Sequence, residues 1–326
     1  MTSSTWVPEN TTVAQLWQRQ VMERADREFL VYEDVDASEV SRFTYREFDA
    51  RVNTCANALV ARGVEAGSRV ALYLHNCVEF VECTLALAKM GAIAGPVDAT
   101  SAPCELGRII GLCEAQMLIT CVNNLGEVLS HLPDSVTDIV AVGEGIPGDE
   151  AGVDVPLLAD LRADASYSFE SNPHVDPMDT LAILFTSGTT SAPKGVVITQ
   201  ANFVFSGVFV NWELGMNPED RYMTSMVAAR VNFQLSALAP VLTVGATLIM
   251  LSRYSATRFW REAREHRATL VQGMAMIVAT LMRQPVDPDE RNHQVREIHY
   301  FLPLNAKEKE AFEERYGVTL LNNYGS

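Results

Sequence analysis

The densest set of groups able to do chemistry lies between Leu181 and Thr199, in the stretch LAILFTSGTTSAPKGVVIT. The apolar run Leu181 to Phe185 fits a buried strand. Thr186, Ser187, Gly188, Thr189, Thr190 and Ser191 follow, then Pro193, Lys194 and Gly195, and a second β-branched run, Val196 to Ile198. A polyanion explains this order. Phosphate oxygens are held by short donors at fixed positions, and a loop free of bulky side chains brings backbone N–H groups close to them. Gly188 opens backbone conformations closed to other residues. The hydroxyls add donors, Lys194 a point charge, and Pro193 local stiffness. The ordinary P-loop reads G-x-x-x-x-G-K-[ST] and runs into a helix. Here Pro193 replaces its second glycine, Gly195 its Ser/Thr, and the continuation is strand-like, so Lys194 has no helix dipole behind it. The other reading of the composition is a Ser/Thr/Gly-rich surface hairpin loop.

TSGTTSAPKG resembles the phosphate-loop signature of the adenylate-forming superfamily: AMP-forming acyl-CoA synthetases, peptide-synthetase adenylation domains and luciferases. The last residues, LNNYGS, are similar to that superfamily's N-x-Y-G-x-T-E motif, with Asn322, Tyr324 and Gly325 matching. The resemblance implies that residues 186 to 191 and Lys194 contact the ATP phosphates, with Thr186 also reaching Mg2+. It implies that Tyr324 stacks on adenine beside Asn322 and Gly325. It further implies a two-step reaction: a carboxylate attacks the α-phosphate of ATP, and the thiol of CoA then displaces AMP. Thr186, Lys194 and Arg230 are the catalytic candidates. The sequence stops before the motif's Thr and Glu, the latter a Mg2+ ligand, so a truncated chain without its C-terminal lid and with little turnover is expected.

Two departures bear on the substrate. Members of the superfamily carry Pro-x-x-His after the position of Asp220; here Val227, Ala228, Ala229 and Arg230 align with it. Arg230 either binds a substrate carboxylate or phosphate through its fork or marks a changed pocket. Asn232 and Gly273 are further acyl-pocket candidates. Gln200 stands for the usual His and Ser191 for the usual Gly. The Gly-Gly-Ala-Pro adenine loop is replaced by residues Tyr300 to Asn305, and this, with Trp212, resembles the crotonobetaine/carnitine-CoA ligase branch. A small quaternary-ammonium acid is then implied, for which Trp212, Phe233 and Glu213 are available, although Arg230 would repel a cation. The alternatives are a medium-chain fatty-acid-CoA ligase and a non-catalytic relative that binds a nucleotide or a partner protein.

The elements that must position these residues alternate. Amphipathic or apolar helices are expected over residues 11–30, 45–62, 78–90, 106–113, 201–210, 235–244, 257–266 and 274–282. Strands are expected over 69–74, 92–97, 117–122, 222–227, 246–251 and 268–272. This pattern predicts an α/β fold with parallel sheets. The resemblance makes it the layered N-terminal domain of an adenylate-forming enzyme, residues 1–326, with subdomains near 1–175 and 176–326. The Gly/Asp/Pro/Ser-rich stretch 143–180 reads as a surface linker. Thr44-Tyr45, Gly63, Gly67, Asn76, Gly91 and Pro96 read as architecture.

Of 326 residues, 48% are hydrophobic and 20% charged, which suits a globular chain, and the net charge of −16 argues against general nucleic-acid or anionic-membrane binding. No apolar run approaches the roughly 20 residues that span a bilayer. No secretory leader is visible at the N-terminus, and the six cysteines, without C-x-x-C spacing, read as reduced and buried in a cytoplasmic protein. The scattered histidines predict no zinc site. Partners are then a small carboxylic acid, ATP and CoA, and a sheet cut near Tyr324 leaves apolar edges that allow a homo-oligomer.

Overall fold

Thr12 opens the first helix, Val13–Arg24, with a capping box: its hydroxyl accepts the Gln15 N–H at 3.3 Å, and the Gln15 side chain accepts the Thr12 N–H at 3.0 Å. The computed structural model describes residues 10–145, 155–185 and 193–323. The helix expected over 11–30 stops at Arg24, because Glu28–Asp34 is strand β1. Phe29, Leu30 and Val31 are all buried, and a strand covered on both faces lacks the alternation that separates strand from helix by period.

The other strands are β2 (Glu39–Thr44), β3 (Arg69–Leu74), β4 (Ile93–Asp98), β5 (Met117–Cys121), β6 (Asp138–Val142), β7 (Thr180–Phe185), β8 (Gly195–Thr199), β9 (Arg221–Thr224), β10 (Thr247–Leu251), β11 (Leu270–Met274), β12 (Glu297–Phe301) and β13 (Thr319–Asn323). They form a seven-stranded sheet, β13-β12-β11-β9-β10-β1-β2, and a six-stranded sheet, β6-β5-β3-β4-β7-β8. Each is parallel except at one edge, where β2 and β8 run antiparallel to their neighbours. The sheets do not follow the 175/176 division: β1 and β2 join the later strands, and β7 and β8 join the earlier ones.

The helix Val78–Met90 buries every residue but Glu79, and it ends at Gly91 in the left-handed conformation (φ 77°). A helix buried all round belongs in a core, here with Glu82 paired to Arg51 and Arg162 and Lys89 to Asp49, and one continuous cluster of buried side chains draws on this helix and both sheets. Asn76 ties the layers. Its amide donates to Met226 O at 2.9 Å and Leu251 O at 3.0 Å, and its Oδ1 accepts the Ala228 N–H at 2.8 Å.

Three further expectations are corrected. The helix read at 235–244 begins at Val231 and widens into a π turn over Gln234–Leu238, which leads into Ala239–Val244; Pro240, which has no N–H to donate, sits just after the wide turn inside this run. The linker carries a helix, Leu158–Ala163. The segment just after it is pinned by Asn53 and Asn57, whose amides donate to the carbonyls of Tyr167 and of Ser166 and Ser168 at 2.9–3.0 Å. Cys104 is exposed, unlike the buried Cys55, Cys83 and Cys113, and all six thiols are free. Among the described residues no helix is long and apolar enough to cross a membrane.

β1 also carries Glu33 inward, to His266 Nε2 at 2.5 Å and Arg258 Nη2 at 2.7 Å. Beside it, burial and then the Glu33 charge push the Glu262 carboxyl up to about 7, against the pull of Arg258 and Arg261. A carboxyl raised above its ordinary 4.5 destabilises the fold once ionised. That effect is absent below the unfolded value, grows as pH rises, and is complete above the folded value. Glu262→Gln should therefore gain stability over the parent between pH 5 and 8, by up to about 3 kcal/mol at the upper end. Urea unfolding at each pH reads this; a constant difference across the range would mean that Glu262 does not titrate there.

Candidate nucleotide and acid site

β7 and β8 are antiparallel neighbours, with Phe185 opposite Gly195, so residues 186–194 close a hairpin at the edge of the six-stranded sheet. Lys194 is exposed where the hairpin re-enters β8. Gly195 is needed for close approach, because a Cβ there would lie 2.9 Å from Ile183 Cγ2 and 3.3 Å from the Phe185 ring. The loop residues Thr186 to Ser191 lie outside the described residues, as do Tyr324 and Gly325.

Arg230 precedes the Val231–Phe233 turn in extended conformation and reaches across to the end of β4. Its Nε and Nη2 donate to Asp98 Oδ2 at 3.0 and 2.8 Å. The other Asp98 oxygen accepts the Thr100 N–H at 2.9 Å and the Thr100 hydroxyl at 2.7 Å. Burial pushes the Asp98 carboxyl up, but Thr100 and Arg230 more than offset it and hold it below the usual range. Asp98 is therefore an ionised partner that the functional reading of the sequence missed. The Asp-Ala-Thr order is the signal that could have found it, since an Asp whose side chain accepts the N–H two residues on forms an Asx turn.

Gln272 is the second residue missed. Its Oε1 accepts the Thr224 hydroxyl at 2.6 Å and its amide donates to Asn232 O at 2.7 Å, so it joins β9, β11 and the segment after Arg230. Asn232 is thus held by its backbone carbonyl against β11, and Gly273, the next residue of that strand, is buried where a Cβ would sit 3.3 Å from Ile298 Cγ2. Asn322 is exposed at the end of β13 and donates to Leu302 O at 3.1 Å, bracing the segment that replaces the superfamily's adenine loop.

The residues available for a cation do not converge. Phe233 is fully buried edge-on to Phe80, and Trp212 is 71% exposed beside Phe209. Glu213 accepts a long bond from the Asn323 amide at 3.4 Å, and burial pushes its carboxyl above the ordinary carboxylate range. Among the described residues no group of three His, Cys, Asp or Glu side chains could hold a metal ion.

The sequence and the fold are similar to those of known proteins. The chain is 37% identical over 314 residues to a crotonobetaine/carnitine–CoA ligase of Salmonella choleraesuis, an alignment covering 95% of this chain and 60% of that one. The chain thus spans about 60% of the length of the curated relatives it matches. The fold matches that of an anthranilate CoA ligase bound to anthranoyl-AMP (TM-score 0.84, 22% identity, 98% of this chain and 60% of that one). It also matches a Mycobacterium tuberculosis fatty acyl CoA synthetase (TM-score 0.82, 22% identity, 97% and 59%). The hairpin with its lysine and the paired sheets that carry it fall within residues 17–326, the span matched by the model of the AMP-binding enzyme family, and the chain belongs to that family.

Proposed function

We propose that the chain forms the nucleotide- and acid-binding part of an AMP-forming acyl-CoA ligase. A carboxylate oxygen of a small acid attacks the α-phosphorus of ATP and pyrophosphate leaves. The CoA sulfur then attacks the acyl carbon, and AMP departs with the shared oxygen. Alignment and charge stabilisation around a crowded phosphate are the protein's main tasks. The observation that carries this reading is the antiparallel β7–β8 hairpin, which presents Lys194 at the mouth of TSGTTSAPKG. Residues 186 to 191 would supply donors to the phosphates, Thr186 would contribute to holding Mg2+, and Tyr324 with Asn322 and Gly325 would hold the adenine. Mg2+ would neutralise phosphate charge.

The named relatives support a crotonobetaine- or carnitine-like acid. The cavity beside Arg230, about 230 Å3 and lined by Asp98, Thr100, Ser101 and Glu105, supports a small polar acid over a medium-chain fatty acid. Calorimetry of the chain with ATP and Mg2+ tests the reading. Saturable binding is expected, weakened about tenfold or more in Lys194→Ala by loss of a charge-assisted phosphate contact. A folded sample that binds no ATP, or a mutant that binds like the parent, would refute it.

A further inference from the structure

The cavity between β4 and the exit of β9 has its own charge pattern. Arg230 spends its Nε and Nη2 on Asp98, so the two charges cancel, and Glu105 on the same lining leaves a surplus carboxylate. Phe185 contributes a ring at the last residue before the hairpin loop, which puts the cavity at the mouth of the proposed phosphate site. At about 230 Å3 it is smaller than the roughly 300–1,000 Å3 of sites for drug-sized ligands, and it suits one compact group.

We infer that this cavity receives the quaternary ammonium end of a short zwitterionic acid, with Asp98 and Glu105 as its counter-charges. The inference rests on the ligase reading above. It removes the objection that Arg230 would repel a cation, because Asp98 neutralises that arginine. It also replaces Phe233 and Trp212, whose positions in the core and in solvent leave neither facing this cavity. Like charge near a bound cation is costly and opposite charge favourable, most of all where water is partly excluded. Affinity for a cationic acid should then follow the net charge of the lining, and affinity for a neutral acid of the same shape should not.

The test is calorimetric binding of 4-(trimethylammonio)but-2-enoate and of its isostere with an uncharged tail, 5,5-dimethylhex-2-enoate, called the neutral acid for that tail. The parent is expected to prefer the cation. Asp98→Asn and Glu105→Gln each take the lining from one net negative charge to zero and should each erase that preference, with a loss of about tenfold or more. Arg230→Gln should widen it. The neutral acid should bind alike throughout. If Asp98→Asn does not fold, the opposite signs expected of Glu105→Gln and Arg230→Gln still decide. The inference falls if the preference is unchanged in these variants, if both acids weaken together, or if Glu213→Gln alone removes the preference. A parent that binds ATP but neither acid sinks this inference and leaves the ligase reading standing. A parent that does not bind ATP sinks that reading first.

Discussion

Asn76→Ala lowers the stability of the chain by about 3–5 kcal/mol. The carboxamide satisfies three buried backbone groups at once, Met226 O, Leu251 O and Ala228 N–H, on segments 150 or more residues away. Each buried polar group left without a partner costs about 1–3 kcal/mol, and the sum is reduced where water enters the space. Asn76→Asp should be no better, since it replaces both donations by a charge among carbonyl oxygens. The effect also reaches the site. The Asn76 bonds and the Arg230–Asp98 pair both join the six-stranded sheet to the loop that leaves β9, so loosening the first frees the base of the second. Urea unfolding gives the loss. A value under about 1 kcal/mol would mean that solvent replaces the amide, and that Asn76 does not hold the layers together.

Gly207→Ala lowers stability by about 2 kcal/mol, although alanine is the better helix former. Gly207 lies buried in the helix Gln200–Leu214, and a Cβ there would meet Ala239 O at 2.5 Å, Ala239 C at 2.7 Å and Thr243 Cγ2 at 2.8 Å. Propensity favours alanine by about 1 kcal/mol. A clash with backbone cannot be relieved by a rotamer change, and overpacking of this kind costs about 1–3 kcal/mol or more. The clash therefore wins. The helix would be forced away from Ala239–Val244, straining the Ser206–Leu235 O bond at 2.9 Å and the Asn211–Thr243 bond at 2.6 Å. Gly111 supplies the contrast. It is exposed in the helix Pro103–Cys113, where a Cβ meets nothing closer than Pro133 Cβ at 3.8 Å, so Gly111→Ala should gain up to about 1 kcal/mol. Thermal midpoints of the two variants should move in opposite directions. A shift of the same sign would show that propensity, not approach distance, governs Gly207.

Much of the fold could be read along the chain. Thr12 and Thr44 start their helices through side chains that reach three residues, and Gly91 stops one because it alone tolerates the left-handed turn there. Residues 69–74 and 78–90 have the bounds expected of them, since a short apolar run between turn residues and apolar helical spacing state their preference locally. The strand–loop–lysine–strand order around Lys194 and the family it belongs to were legible for the same reason: the residues involved are adjacent in the chain. What needed the tertiary structure was every contact between segments far apart. Glu28–Asp34 is a strand because β10 and β2 flank it, and nothing within its own residues excludes a helix. Phe233, a candidate ligand face by type, is core because Phe80 meets it. Arg230 looked like an unopposed charge until Asp98, 132 residues earlier, was placed beside it. Local sequence sets which backbone angles and caps are cheap, over a few residues. The partners of a buried carboxamide or an arginine fork depend on which loops the parallel crossovers bring to the same end of the sheets, and no local preference encodes that.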